Sequence, residues 1–124
     1  MTVNEFLQKY RRVKWDINVT RPRVCCADGY SVSIQAGWGI YSTPCKDADY
    51  YEAVELGFPS MIDEDLAAYY DGSICAFVPV DLVDKVLQKH GGIVKLDFSN
   101  TSGSWESENG GEEDGNTGNC DIQL

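Results

Sequence analysis

Basic residues run out toward the end of this 124-residue chain: residues 99–124 hold six acids and no Lys or Arg. Across residues 24–98 there are four bases against twelve acids, a net −8, and only residues 1–23 are basic, with six Lys/Arg against Glu5 and Asp16. The formal net charge is −10. A surface of that sign disfavours direct nucleic-acid binding, because neutralising phosphates is the main source of such affinity. Long apolar runs are missing too. No segment approaches the roughly 20 apolar residues of a membrane helix, and Glu5, Lys9, Arg11 and Arg12 interrupt any leader-like run. A cytoplasmic protein without membrane contact is expected. The five cysteines, Cys25, Cys26, Cys45, Cys75 and Cys120, are odd in number and irregular in spacing, which implies reduced thiols and no disulfide framework. There is no Cys-x-x-Cys pair, and Cys25 and Cys26 on one strand would point to opposite faces. Gly37-Trp38-Gly39 lacks the helix and lysine of a phosphate loop. Neither a metal nor a cofactor is expected.

What is there begins with Ser73–Val78, an uncharged β-prone run that reads as a buried strand. Pro79 has no N–H for a ladder but suits the first turn of a helix. Behind it Leu82, Val83, Val86 and Leu87 form an apolar stripe opposite Asp84, Lys85, Gln88 and Lys89. Gly91 supplies the left-handed residue after the last turn. That stripe needs a sheet to cover it.

The rest of the chain supplies the sheet. Thr2-Val3-Asn4-Glu5 has the form of a capping box, and the helix it starts should bury Val3, Phe6, Leu7 and Tyr10 and end near Val13. Lys14 to Thr20 reads as a connector. Arg23–Cys26 and Tyr30–Gln35, joined through Asp28-Gly29, predict a β-hairpin with Tyr30, Val32 and Ile34 inward and Ser31, Ser33 and Gln35 toward water. Ile40–Thr43 could resume the strand, and Tyr50–Leu56 reads as strand in preference to helix. Ser60 is placed to cap an acidic helix over Met61–Tyr70 that packs Ile62, Leu66 and a tyrosine. Ile93–Phe98 predicts a charged edge strand with Val94, Leu96 and Phe98 on one face. Beyond Ser99 the composition predicts a disordered acidic tail. The expected fold is therefore α+β: one domain over residues 1–98, a small antiparallel sheet with two or three helices on one face, and a tail over 99–124.

Five motifs in order carry a resemblance: Arg21-Pro22-Arg23-Val24-Cys25, Asp28-Gly29-Tyr30-Ser31, Val54-Glu55-Leu56-Gly57-Phe58-Pro59-Ser60, Phe77-Val78-Pro79-Val80 and Lys89-His90-Gly91-Gly92-Ile93. Over residues 1–93 the chain resembles a family of small proteins encoded in bacterial prophages and other mobile elements. Members end near the position of Ile93, so the acidic extension falls outside the pattern, as does Cys45 where a basic residue is usual. The family has no assigned catalytic activity. The resemblance implies a mobile-element context, in which short non-enzymatic inhibitors of host defence, anti-CRISPR proteins among them, are common.

Two sets of residues are candidates for function. Asp47, Asp49, Tyr50 and Glu52, then Asp63, Glu64, Asp65, Tyr69 and Tyr70, put carboxylates among aromatic side chains. Acids in number usually make a solvated face; the sharper reading is an acidic, tyrosine-containing surface that competes for a basic groove as a DNA mimic does. The expected partner is a host protein with a basic surface, such as a nucleic-acid-binding nuclease. The other candidate is His90, the single histidine, which at a helix end has a structural role open to it. With Cys25 or Cys45 it would instead make a Cys/His hydrolase. A small-ligand sponge or self-assembling structural protein, with a pocket lined by Arg21, Arg23 and aromatics, is a further alternative.

Overall fold

In the computed structural model, which describes residues 1–11 and 20–99, Thr2 and Glu5 close the expected capping box. The Glu5 N–H donates to the Thr2 hydroxyl at 3.1 Å and the Thr2 N–H donates to the Glu5 carboxylate at 2.8 Å. The helix they start, α1, spans Val3–Lys9 and buries Val3, Phe6 and Leu7. Residues 12–19, which include most of the expected connector, and the tail beyond Ser99 lie outside the described residues.

Six strands follow: β1 Arg23–Cys26, β2 Ser31–Gln35, β3 Ala53–Gly57, β4 Tyr70–Asp71, β5 Ile74–Pro79 and β6 Ile93–Asp97. A 3₁₀ helix over Glu64–Tyr69 precedes β4, and helix α2, Val80–Lys89, joins β5 to β6. The strands form one sheet in the order β4-β5-β3-β2-β1-β6, antiparallel at every step. β5 and β6 therefore run in the same direction with three strands between them, and α2 must cross a face of the sheet to connect them. It crosses on its Val80, Val83, Val86 and Leu87 stripe, which joins Val24, Val32, Ile34, Val54, Leu56, Cys75 and Val78 from the strands and Phe6 and Leu7 from α1 in one core. Fully burying each of these aliphatic side chains contributes about 1.5 to 3 kcal/mol. A six-stranded antiparallel sheet with a few helices is an α+β fold, as expected.

Several local expectations need correction. Ile40–Thr43 does not resume a strand; it contributes one isolated bridge, Thr43 to Ala53. Ser60 caps no helix, because its hydroxyl accepts the Ser31 N–H at 2.9 Å and its own N–H donates to Ser31 O at 2.8 Å. The helix cap is Asp63, whose side chain accepts from the Asp65 N–H. With the helix starting three residues later than predicted, Ile62 is 63 % exposed instead of packed. Ser31 and Gln35 are buried, not solvated. The Gln35 carboxamide pairs with the Arg21 backbone at 3.0 and 3.1 Å, and the Arg23 guanidinium donates to the Ser31 hydroxyl at 2.9 Å. In β6 the pairing slips between Cys25 opposite Lys95 and Cys26 opposite Ile93. The extra residue is Val94, which this bulge turns outward.

Candidate functional site

The structure sorts the nine predicted site residues into two groups at opposite ends of the β3 to β5 ladder, whose register pairs Ala53 with Pro79 at one end and Gly57 with Ile74 at the other. At the Ala53 end lie Asp47, Asp49, Tyr50 and Glu52. Tyr51, fully buried, holds this segment: its hydroxyl donates to Lys46 O and accepts the Ala48 N–H, while the Asn4 side chain pairs with its backbone on both sides. Tyr50 consequently points out and is 58 % exposed. Arg11 bridges Asp47 at 2.9 Å and Asp49 at 2.7 Å, and the hydrogen bonds it donates to these carboxylates raise its pKa. Glu52 is exposed.

Tyr41 and Phe77 join this group, though sequence reasoning did not place Phe77 there. Their rings stand 5.8 Å apart and both are about half exposed, 55 % and 49 %. Phe77 belonged, by composition, to a buried strand. A pairing shift between Val54 and Leu56 places Cys75 and Val78 inward, so Phe77 emerges from the core with a φ of 54°. Its N–H donates to Tyr41 O at 3.2 Å, which fixes the two backbones together.

The second group surrounds His90. Asp63 is 3 % exposed and takes part in three interactions: Lys89 Nζ donates to Oδ1 at 2.8 Å, the Asp65 N–H to Oδ1 at 2.8 Å, and His90 Nε2 meets Oδ2 at 2.7 Å. The other imidazole nitrogen, Nδ1, meets Asp28 Oδ2 at 2.7 Å, and Tyr30 stacks on the ring at a centroid distance of 4.2 Å. Lys89 also reaches Asp65 at 2.9 Å. Burial opposes protonation of His90, but its hydrogen bonds to the Asp28 and Asp63 carboxylates outweigh it and raise its pKa above the ordinary value. Asp63 is likewise penalised by burial and yet lowered, chiefly by Lys89 and the Asp65 N–H. Asp28 is lowered by the Tyr30 N–H and by His90. Asp63 is thus an internal anchor, whereas Glu64 is exposed. Tyr69 and Tyr70 are half-buried and pack on the core. Asp28 and Asp63 are 35 residues apart in the sequence, and no local pattern links either to His90; the docking of the β1–β2 turn on the end of α2 brings Asp28 to the ring, and the segment between β3 and β4 brings Asp63.

The signs of these shifts define a pH window. Stability contributed by protonated His90 is complete below its unfolded value of 6.5 and declines as pH rises through the higher folded value. That contributed by Asp28 and Asp63 is complete above 3.8 and declines as pH falls through their lower folded values. The thermal midpoint should peak between roughly pH 4 and 6.5. His90→Gln should flatten the decline above that window in a calorimetric pH series.

None of Cys26, Cys45 and Cys75 is a hydrogen-bond partner of His90 among the described residues. Cys45 donates to Ile40 O at 3.2 Å, and Cys26 is pushed up to about 11 by burial and by Asp28. Burial also raises Cys75, with Tyr70 beside it. Cys25 is disulfide-bonded, which corrects the expectation of reduced thiols throughout; Cys120 lies outside the described residues. Both imidazole nitrogens face carboxylates, so the ring is not aimed at sulfur. The arginines read as lining a pocket are tied to backbone carbonyls. Arg21 donates to Leu7 O and Ala36 O, and Arg23 to Ser31 O and Phe58 O. Among the described residues no group of three or more His, Cys, Asp or Glu could hold a metal ion, and no helix is long and apolar enough to cross a membrane. No protein family, curated protein or solved structure matches the chain.

Proposed function

We propose that this chain is a non-enzymatic, protein-binding inhibitor of the kind carried by phages and mobile elements, which occludes the basic, nucleic-acid-binding surface of a host defence effector such as a CRISPR nuclease. The observation that carries the binding surface is the Tyr41–Phe77 pair. A bulky residue at a φ of 54° is strained, and here the strained residue turns an aromatic ring to water instead of into the core. Stability gains nothing from that arrangement, while an interface gains a rigid anchor. Tyr50, Asp49 and Glu52 lie at the same end of the ladder, so the aromatic anchor is bordered by negative charge. The net −8 of residues 24–98 steers such a surface toward a basic partner. Engagement of both imidazole nitrogens by carboxylates favours this reading over a Cys/His hydrolase.

Capture from a bacterial lysate, with mass-spectrometric identification, tests it. A basic nucleic-acid-binding protein should be retained at low salt and lost at high salt. Phe77→Ala and the Asp49→Lys/Glu52→Lys double variant should each weaken retention about tenfold or more. Capture indifferent to salt and to both variants overturns the proposal.

A further inference from the structure

We propose that Phe58–Ile62, at the other end of the β3 to β5 ladder, forms a second docking surface, for a basic peptide segment that carries an aliphatic side chain. Three large apolar residues in five are turned to water here: Phe58 at 62 %, Met61 at 54 % and Ile62 at 63 % exposure. The loop is not loose. Phe58 N–H donates to Ser73 O at 2.9 Å, Arg23 donates to Phe58 O at 2.6 Å, and Ser60 exchanges two hydrogen bonds with Ser31. Asp63 then ties its far end to Lys89 and His90. Phe58 itself has a φ of 48°, so its outward aim, like that of Phe77, is held by its surroundings. Exposed apolar side chains on a backbone held in place leave less entropy to lose on binding than those on a mobile loop, which favours a contact surface.

Ile62 stands between two depressions. One, of about 380 Å³, is bordered by Met61, Glu64, Asp28 and His90; the other, of about 320 Å³, by Phe58, Pro59, Tyr70 and Ser73. Each has room for one aliphatic side chain. The charge beside Ile62 decides what flanks that side chain. Among the described residues Asp28, Asp63, Glu64 and Asp65 face Lys89 and His90 as their basic neighbours, which leaves two negative charges in excess even when His90 is protonated. Glu64 has no ion-pair partner among the described residues. A second copy would bring like charge to like charge, and nucleic acid would do the same. A Lys- or Arg-bearing segment with a Leu-like anchor fits both the depressions and the charge. The surface uses none of Tyr41, Glu52 or Phe77 and does not depend on the function proposed above.

The test is a titration of ¹⁵N-labelled full chain with three synthetic peptides of equal length, one of Lys and Leu, one of Lys and Ser and one of Glu and Leu. The Lys/Leu peptide should shift amides of residues 58–64, 28 and 70–73, with a Kd on the order of 10 to 100 µM. Ile62→Asp and Glu64→Lys, both at exposed positions, should each raise that Kd about tenfold with unchanged circular dichroism. Glu52→Lys and Phe77→Ala should leave it unchanged, which separates this surface from the first. Equal binding of the Lys/Ser peptide, shifts located elsewhere, no shifts, or sedimentation showing self-association abolished by Ile62→Asp would each overturn the proposal.

Discussion

Replacing Gly91 by alanine is expected to destabilise the chain by about 2 to 5 kcal/mol, the sum of about 1 to 2 for a left-handed residue bearing a Cβ and about 1 to 3 for overpacking. Gly91 has a φ of 98°, and a Cβ placed on it would stand 2.6 Å from the Ala27 Cβ. The contact is close because the β1–β2 turn docks on the end of α2: Ala27 N–H donates to Gly92 O and Asp28 N–H to His90 O, both at 3.2 Å. Helix α2 itself closes with Gly92 N–H on Leu87 O and Gly91 N–H on Gln88 O, the paired bonds of a Schellman ending. Neither partner can yield without giving up hydrogen bonds. The two parts of the cost can be separated by denaturant titration of the single and double variants. Ala27→Gly removes the atom that the new Cβ would meet, so in that background Gly91→Ala should cost only the backbone part, about 1 to 2 kcal/mol. An unchanged cost in both backgrounds would show that the contact contributes nothing.

Asp63→Ala is expected to cost about 2 to 3 kcal/mol, near the lower end for a broken buried ion pair because the adjoining depression admits water to the cluster. The Asp65 N–H that starts the 3₁₀ helix loses its acceptor, while Lys89 and His90 each lose one of two carboxylate partners and keep Asp65 and Asp28 respectively. Asp63→Asn keeps an oxygen for the Asp65 N–H but removes the charge, so it should fall between wild type and alanine. An imidazole titration followed by NMR supplies a readout that general destabilisation would not move. The raised pKa of His90 rests on Asp28 and Asp63 together, and either Asp63 variant should lower it. A His90 pKa that stays in place would remove Asp63 from the account of the cluster.

Features governed by neighbours in the chain were legible beforehand. The Thr2/Glu5 cap, the Asp28-Gly29 hairpin, the α2 stripe and its glycine ending each depend on spacings of a few residues. What failed depended on partners far away. Ser60 has the chemistry of a cap but spends its hydroxyl on Ser31, and nothing near Ser60 reveals that. Phe77 lies in an uncharged run that reads as a buried strand, and strict alternation puts Val94 on one face with Leu96 and Phe98; one pairing slip in each strand pair turns both outward. The candidate site divides in the same way. Acids and tyrosines at 47–52 are visible as composition, whereas the union of Asp28, Asp63 and His90 exists only once the hairpin turn and the segment between β3 and β4 both meet the end of α2.

The place of β6 in the strand order has a further consequence for solubility. β1 is short and apolar through Val24, Cys25 and Cys26, all buried, and it avoids being a border strand only because the crossover helix delivers β6 beside it. The new border carries Lys95 and the Val94 bulge, both of which frustrate pairing with another chain. A chain terminated after Gly92 would expose the β1 rim as a template for cross-β stacking. The five residues of β6 therefore guard against fibrillar self-association as well as completing the sheet.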